Sequence, residues 1–236
     1  MSSAATSFPS TKQANNYERL CRLLVDVGWQ VLRETFDRVR PPGSLHSVLA
    51  DHQIHAQLKS LQKKGVLSIP QWRNLYPAIK SSVSSRDFDS TLLVILLRNI
   101  RGLVPPATGW SNCPLVSDTS LAADIARIRF YRNTVYNHAS NASVDDAAFS
   151  HYWKEIKDTL VRLGGAGYRN DIDGFENEIV DPEFEEHYQE LLKQWVEADN
   201  SIEDKLEDDR DKKQSKLQDS EELTVKSEKR TGIDGW

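Results

Sequence analysis

The middle of the chain reads Asp87-Phe-Asp-Ser-Thr-Leu-Leu-Val-Ile-Leu-Leu-Arg-Asn-Ile-Arg101. The run from Leu92 to Leu97 is apolar without interruption, so a helix over this stretch has hydrophobic side chains on every face. A soluble helix of that kind is stable only when other helices cover it. The stretch therefore predicts a central core helix at about residues 87–102.

Amphipathic segments on both sides of this helix can supply the cover. Apolar residues recur every three or four positions in residues 16–40, 118–139 and 144–164, which is the spacing of one helix face. The first segment starts at Asn15-Asn16, which are good N-cap residues. We find no convincing strand alternation. The expected fold is all-α, an antiparallel helical bundle with a peripheral helical insert at residues 44–80 and a charged C-terminal helix or tail.

Composition divides the chain into four regions. These are a Ser/Thr/Ala-rich N-terminus predicted to be disordered (1–14), the helical domain (15–165), a polar connector (166–180) and an acidic helical or disordered tail (181–236). Residues 1–180 hold 21 Lys and Arg against 17 Asp and Glu, whereas the tail holds 9 against 18. The mildly basic body leaves phosphate binding open, and the charge density of the tail disfavours burial from about Glu203 onward.

The tail opens with a heptad pattern. Its members are spaced by alternating steps of four and three: Phe184, Tyr188, Leu191, Trp195, Ala198 and Ile202. Such spacing is typical of a helix laid against a partner, as in a coiled coil. Asp181-Pro182 is a good helix start, because Asp caps well and Pro suits the first turn. We expect a helix from about residue 181 that packs on the bundle or binds another protein.

The sharpest chemical signal is Arg132-Asn-Thr-Val-Tyr-Asn-His138, near the end of the predicted helix at 118–139. Histidine moves protons near neutral pH, and a guanidinium group binds phosphate oxygens. On one regular helix these two side chains lie roughly 9 Å apart along the axis and about 120° apart around it. A second copy across a two-fold axis, or a helix end near Asn137, would bring them together. A structural alternative has Arg132 stacked on Tyr136 and His138 capping the last carbonyls.

The segment from Asp124 to Ala139, with Phe149 and Trp153-Lys-Glu-Ile after it, resembles a HEPN domain (higher eukaryotes and prokaryotes nucleotide-binding). The resemblance is to the type found in DAZ-interacting zinc-finger ubiquitin ligases and in animal proteins related to immune receptors. It covers about residues 15–165. Further upstream matches are Phe88-Asp89-Ser-Thr-Leu-Leu, Leu97-Arg-Asn-Ile-Arg101 and Pro106-Ala-Thr-Gly-Trp110.

The resemblance implies a role for the motif. In this superfamily an Arg-x(4 to 6)-His motif lies at a homodimer interface and, in the active members, forms a metal-independent ribonuclease site. By position, the catalytic candidates are Arg132, His138 and the polar Asn133 that follows the arginine. Many eukaryotic members act instead as dimerisation or scaffold modules. Four further arginines are candidates for a basic path along RNA, although surface arginines are often simply solvated: Arg98, Arg101, Arg127 and Arg129.

Several other classes of function lack the residues that they need. Cys21 and Cys113 are the only cysteines, too few for the zinc domain of a ubiquitin ligase, and they match no secreted disulfide framework. We therefore expect a cytoplasmic protein that is not a ubiquitin ligase by itself. No apolar run approaches the roughly 20 residues of a membrane helix. The residues His46, Asp51, His52 and His55 do not complete a zinc site, and no metal or cofactor is expected.

Two hypotheses follow. We favour a HEPN-type interaction module that forms a homodimer through the helices around the motif and offers its acidic heptad tail to a protein partner. The resemblance implies innate immune or ubiquitin-linked signalling for such a module. The alternative is a metal-independent endoribonuclease that binds RNA and uses Arg132 and His138 in a symmetric dimer.

Overall fold

The N-terminal part of the bundle is one long helix. A computed structural model describes residues 11–100, 103–176, 186–201 and 205. Helix α1 (Thr11–Arg22), a π-helical turn (Leu23–Gly28) and helix α2 (Trp29–Val39) follow one another without a break. They are continuous because Arg22 and Gly28, at the two joins, keep right-handed helical backbone angles.

Helix α1 begins earlier than its predicted start at Asn15-Asn16. Asn16 is not a cap, because its buried amide donates to the carbonyl of Val144 at 3.2 Å and to Oδ1 of Asp146 at 2.9 Å. The side chain thus ties α1 to the region where a later helix begins. Residues 11–14, which were expected to be disordered, form the first turn of α1.

The predicted core helix is present as α6 (Ser90–Ile100). Every residue from Thr91 to Leu97 is buried, and Leu96 is 0% exposed. Helix α2 packs along it, and Phe36 of α2 meets Phe88 edge to face with ring centroids 5.9 Å apart. Burial on every side is what the continuous apolar run requires.

Three short helices form the predicted insert: α3 (Leu45–Ala50), α4 (His52–Lys63) and α5 (Ile69–Leu75). Helix α5 starts with a reciprocal capping box, in which Ser68 and Gln71 each accept a backbone N–H from the other. Single 3-10 turns complete the region, at Pro42–Ser44, Lys80–Ser82 and Ser85–Asp87. The insert therefore consists of short, separately capped pieces.

Helices α7 (Leu121–Tyr136) and α8 (Asp146–Gly164) pack against each other. Each begins at a side-chain cap, because Ser120 accepts from the Ala123 N–H and Asp145 accepts from the Ala147 and Ala148 N–H groups. Most of α7 is buried, including four charged residues: Asp124, Arg127, Arg129 and Arg132. A helix that keeps charges inside must pair them within the protein.

Two helices follow α8. Helix α9 (Tyr168–Glu176) occupies most of the segment predicted as a polar connector. Helix α10 covers residues 186–201. The predicted helix start at Asp181-Pro182 lies outside the described residues, as do Phe184, Ile202 and the charged end from residue 206.

The buried face of α10 is rotated from the predicted heptad seam. Ala198 of that seam is exposed, and Tyr188 and Leu191 are half-buried. Trp195 of the seam is buried as predicted, but the other buried residues lie beside the seam: Leu192, Val196 and Asp199. The buried face is rotated because Asp199 faces inward and bonds to buried arginines. A prediction from the spacing of apolar residues cannot detect an inward-facing carboxylate.

All the regular structure in the described ranges is helical, and no strand occurs in them. The all-α helical bundle predicted from the sequence is therefore confirmed. Each helix in those ranges is too short or too polar to span a membrane.

Candidate functional site around Arg132

The motif residues lie on the last turns of α7 and on the turn that follows it. Arg132 and Asn133 belong to α7, whereas His138 comes two residues after the helix ends at Tyr136. The His138 N–H donates to the carbonyl of Val135 at 3.0 Å, which closes that turn. The predicted helix at 118–139 is thus shorter at its C-terminal end.

The Arg132 side chain is almost completely enclosed, with 1% of its surface exposed. Its Nη2 donates to Oδ2 of Asp199 at 2.8 Å. Its Nε and Nη2 also donate to Oδ1 of Asn133, at 3.1 and 2.7 Å. The guanidinium carbon lies 5.0 Å from the ring centroid of Trp195, in a cation–π contact. The structural alternative in which Arg132 stacks on Tyr136 is therefore replaced by stacking on Trp195.

Arg129 binds the same carboxylate one turn earlier on α7. Its Nε donates to Oδ2 of Asp199, the oxygen that Arg132 also contacts. Its Nη1 donates to the carbonyl of Trp110 at 3.2 Å. A single carboxylate from α10 thus bridges two arginines of α7 and links them to the loop around Trp110.

The electrostatics of this cluster hold Asp199 in its charged form. Burial alone would raise the pKa of Asp199, but the charges and hydrogen bonds of Arg132 and Arg129 outweigh it and leave the pKa below its usual range. Burial lowers the pKa of Arg132, and the charge of Asp199 opposes that shift. A guanidinium keeps its proton in proteins, so the pair is ionic.

His138 lies in different surroundings. It is half-buried, and its ring centroid is 6.1 Å from that of Tyr152 on α8. None of the contacts formed by the described residues joins His138 to Arg132. Within one chain the helix end at Asn137 does not bring the two motif side chains together.

Arg127 and Arg98, two of the remaining arginine candidates, also have partners within the chain. Arg127 is buried and donates to Asp124 at 2.6 Å, to the Leu115 carbonyl at 2.5 Å and to the Asp118 carbonyl at 2.6 Å. Arg98 lies 4.5 Å from the ring centroid of Trp110. Arg101 lies outside the described residues. Arg127 and Arg129 are therefore internal anchors, not parts of an exposed basic path.

The histidines considered for zinc belong to an aromatic cluster. The ring centroid of His55 is 5.7 Å from that of Trp72 and 5.0 Å from that of Tyr76. Over the part of the chain that the structure describes, no three His, Cys, Asp or Glu side chains are grouped closely enough to hold a metal ion.

Sequence reasoning did not identify Asp199 as a partner of Arg132. The two residues are separated by 67 positions, and neither helix periodicity nor local charge pairing links residues so far apart. One signal was available. Trp195 and Asp199 are four positions apart in the tail, so they share a helix face, and both suit a buried guanidinium.

The chain is similar to one protein family and to two known proteins. The family model of the DZIP3/hRUL138-like HEPN domain matches residues 42–188, which include α6, the motif on α7 and all of α8. The human and mouse proteins named E3 ubiquitin-protein ligase DZIP3 are each 30% identical to the chain over 152 residues, 64% of this chain and 12% of each relative. No solved structure matches the chain.

The family match ends at residue 188, so Trp195 and Asp199 lie beyond it. The motif residues Arg132 and His138 lie within it, and the resemblance drawn from them in the sequence is confirmed. The chain belongs to the DZIP3/hRUL138-like HEPN family.

Proposed function

We propose that the chain is a HEPN-type interaction module that forms a homodimer, and that its motif arginine anchors the C-terminal helix instead of cleaving RNA. The observation that carries the proposal is the position of Arg132, which is enclosed and bonded to Asp199 of the same chain. An arginine in that position contributes to architecture. It holds α10 on α7 through one ion pair and one aromatic contact.

A ribonuclease needs Arg132 on a phosphate group and His138 within reach of the 2′-hydroxyl or of the leaving oxygen. In the described conformation the Asp199 carboxylate stands beside Arg132, where an anionic substrate group would have to bind. His138 packs near Tyr152 instead of near Arg132. Both features favour the interaction module over the endoribonuclease.

The surface at the end of α7 supports a contact between two copies. Asn137 and Ser140 are exposed in the turn after the helix. A groove of about 270 Å³ lies between this turn and α10, and it is lined by Tyr136, Ala139, Glu186, Gln189, Glu190 and Lys193. Side chains of both charges on one rim suit an isologous contact, in which the acidic residues of each copy meet the basic residue of the other.

The cellular setting is inferred from the relatives. They are named as E3 ubiquitin-protein ligases, and this chain spans 12% of their length. Cys21 is buried and Cys113 is half-buried, and both are free thiols, which suits the reducing cytoplasm. We place the module, without ligase activity of its own, in ubiquitin-linked signalling in the cytoplasm, with innate immune signalling as the setting that the sequence resemblance adds.

Sedimentation equilibrium together with an RNA cleavage assay tests this function. The purified chain is expected to have about twice the mass of its 26.8 kDa monomer. It is also expected to leave single-stranded RNA intact in excess chelator. A monomeric mass contradicts the dimer. Chelator-resistant cleavage that disappears in both Arg132→Ala and His138→Ala contradicts the assignment as a whole and establishes the ribonuclease.

A further inference from the structure

Helix α10 is held on the bundle by a narrow set of inward-facing residues. Leu192, Trp195, Val196 and Asp199 are buried, and their spacing places them on one face of the helix. The opposite face is exposed, as at Lys193 and Glu197. Four residues of the helix therefore face the bundle. Of these, Trp195 and Asp199 make the contacts that require a particular residue type, an aromatic ring and a carboxylate.

The bundle surface beneath α10 is a groove with a cationic end. Gly28 of the π-helical turn lies under Trp195, since a Cβ built on Gly28 would be 4.0 Å from Cη2 of that ring. At the other end Arg129 and Arg132 converge on Asp199. We call this surface, from Gly28 to Arg132, the α10 groove.

The α10 groove demands an occupant that carries an anion. Arg132 and Arg129 are both buried, and a buried cation that loses its carboxylate is strongly destabilising. A second helix can replace α10 at low cost only if it brings a carboxylate to the same position. This requirement sets the chemistry of any competing partner.

Helix α10 does not fill the groove completely. A cavity of about 250 Å³ remains between α10 and the bundle, next to Trp29 and Trp195. The indole N–H groups of Trp29 and Trp195 are both buried, and neither has an acceptor among the described groups. The two tryptophans that carry these donors both line the cavity.

Exposed contacts lie near the start of α10 and a few residues after its described end. The Tyr188 hydroxyl donates to Asp26 at 2.9 Å, and Nζ of Lys205 donates to the Gly65 carbonyl at 2.8 Å. Exposed polar contacts contribute little to stability, because water competes for the same groups. The ends of α10 can therefore open more easily than its buried centre.

We propose that the α10 groove is a helix-binding site that α10 occupies from within the chain, and that a partner protein binds it by exchanging its own helix for α10. The matching partner helix is amphipathic and has an aromatic residue four positions before a carboxylate, as Trp195 and Asp199 have. This proposal rests on the proposed interaction function, and it names the partner class. It does not depend on homodimer formation.

A labelled peptide tests the exchange. A fluorescent peptide of residues 186–205 is titrated into the full wild-type chain, the full Asp199→Asn chain and the full Glu197→Gln chain. The Asn variant weakens the internal occupant, so we expect it to bind the peptide at least about tenfold more tightly than the wild type does. Glu197 is exposed on the same helix, so its variant is the matched control and should bind as the wild type does.

Two further measurements keep the test decisive. A peptide carrying Asp199→Asn should lose binding to all three chains. Hydrogen exchange of the ¹⁵N-labelled wild-type chain should show faster exchange in residues 186–201 when unlabelled wild-type peptide is in excess, which requires no destabilised variant. Equal binding by the two peptides, or no change in exchange under saturating peptide, overturns the proposal.

The same samples separate this proposal from the function on which it rests. One outcome is that the protein is dimeric and leaves RNA intact but does not bind the peptide. The α10 groove is then not an exchange site, whereas the proposed function as an interaction module is retained. If a single-stranded RNA oligonucleotide displaces α10 and the peptide does not, the groove is a nucleic-acid site and the helix-exchange proposal is overturned.

Discussion

The carboxylate of Asp199 accepts a 2.8 Å hydrogen bond from Nη2 of Arg132, a residue 67 positions earlier in the chain. Both side chains are buried. The contact joins the motif on α7 to α10, and it supports the proposed architectural role of the motif arginine.

Acid should weaken this contact. The pKa of Asp199 is lowered in the folded chain, whereas an unfolded aspartate titrates at about pH 3.9. The stabilisation from its charge is therefore complete above about pH 4 to 5 and is lost as the pH falls through the lowered pKa of the folded state. Urea denaturation of the wild type and of Asp199→Asn should show a constant difference in free energy of unfolding from pH 7 to 5, and a narrowing difference at lower pH. A difference that grows below pH 4 would contradict this account.

Leu96→Ala should destabilise the bundle strongly. Leu96 is fully buried in α6, and removal of a large core side chain typically costs about 2 to 5 kcal/mol. Chemical denaturation measures this loss. The exposed Val104→Ala is the control and should change the free energy of unfolding by less than about 0.5 kcal/mol. A loss below that size for Leu96→Ala would mean that α6 is not the centre of the bundle.

Arg127→Met should loosen the loop before α7. Arg127 is buried and donates to the carbonyls of Leu115 and Asp118, and hydrogen bonds to charged groups contribute about 1.5 to 3 kcal/mol. In this variant Asp124 remains paired with Arg162, whose Nη2 donates to it at 2.7 Å. The loss of stability should therefore be confined to the loop that Arg127 holds. Hydrogen exchange should therefore quicken in residues 103–120 and stay unchanged in α6. The exposed Arg73→Met serves as control, and equal exchange in both variants would disprove the anchoring role.

His138→Ala should leave the fold and the RNA result unchanged. The ring of His138 makes one half-buried contact with Tyr152, and aromatic contacts of this kind contribute about 0.5 to 1.5 kcal/mol. Thermal unfolding should show a loss within that range, and neither protein should cleave RNA in chelator. Cleavage by the wild type that vanishes in the variant would show that His138 is catalytic after all.

The bundle could be predicted from the sequence because its core follows from the spacing of apolar residues within each helix. The run from Leu92 to Leu97 must be covered, and the caps at Ser120 and Asp145 begin the next two helices where periodicity expects them. The start of α1 was predicted late because Asn16, a good cap residue, is used in a tertiary contact with Val144 and Asp146.

The site was less accessible to prediction for a related reason. Patterns of apolar spacing treat Asp199 as a solvent residue and therefore place the seam of α10 through Ala198. The fold places Asp199 inside because two arginines of α7 are already buried there. A pairing of this type depends on the packed bundle, which one helix considered alone does not contain.

A double-mutant cycle on Arg132 and Asp199 tests the central claim most directly. The free energy of unfolding is measured in urea for the wild type, Arg132→Met, Asp199→Asn and the double variant. Asp199→Asn removes the carboxylate from the buried Arg132 and should cost about 3 to 5 kcal/mol. Arg132→Met should cost less, because Asp199 keeps its contact with Arg129. The double variant should cost about 1 to 3 kcal/mol less than the sum of the two, because the interaction is lost only once. Costs that add to within about 0.5 kcal/mol would contradict the claim that Arg132 anchors the C-terminal helix.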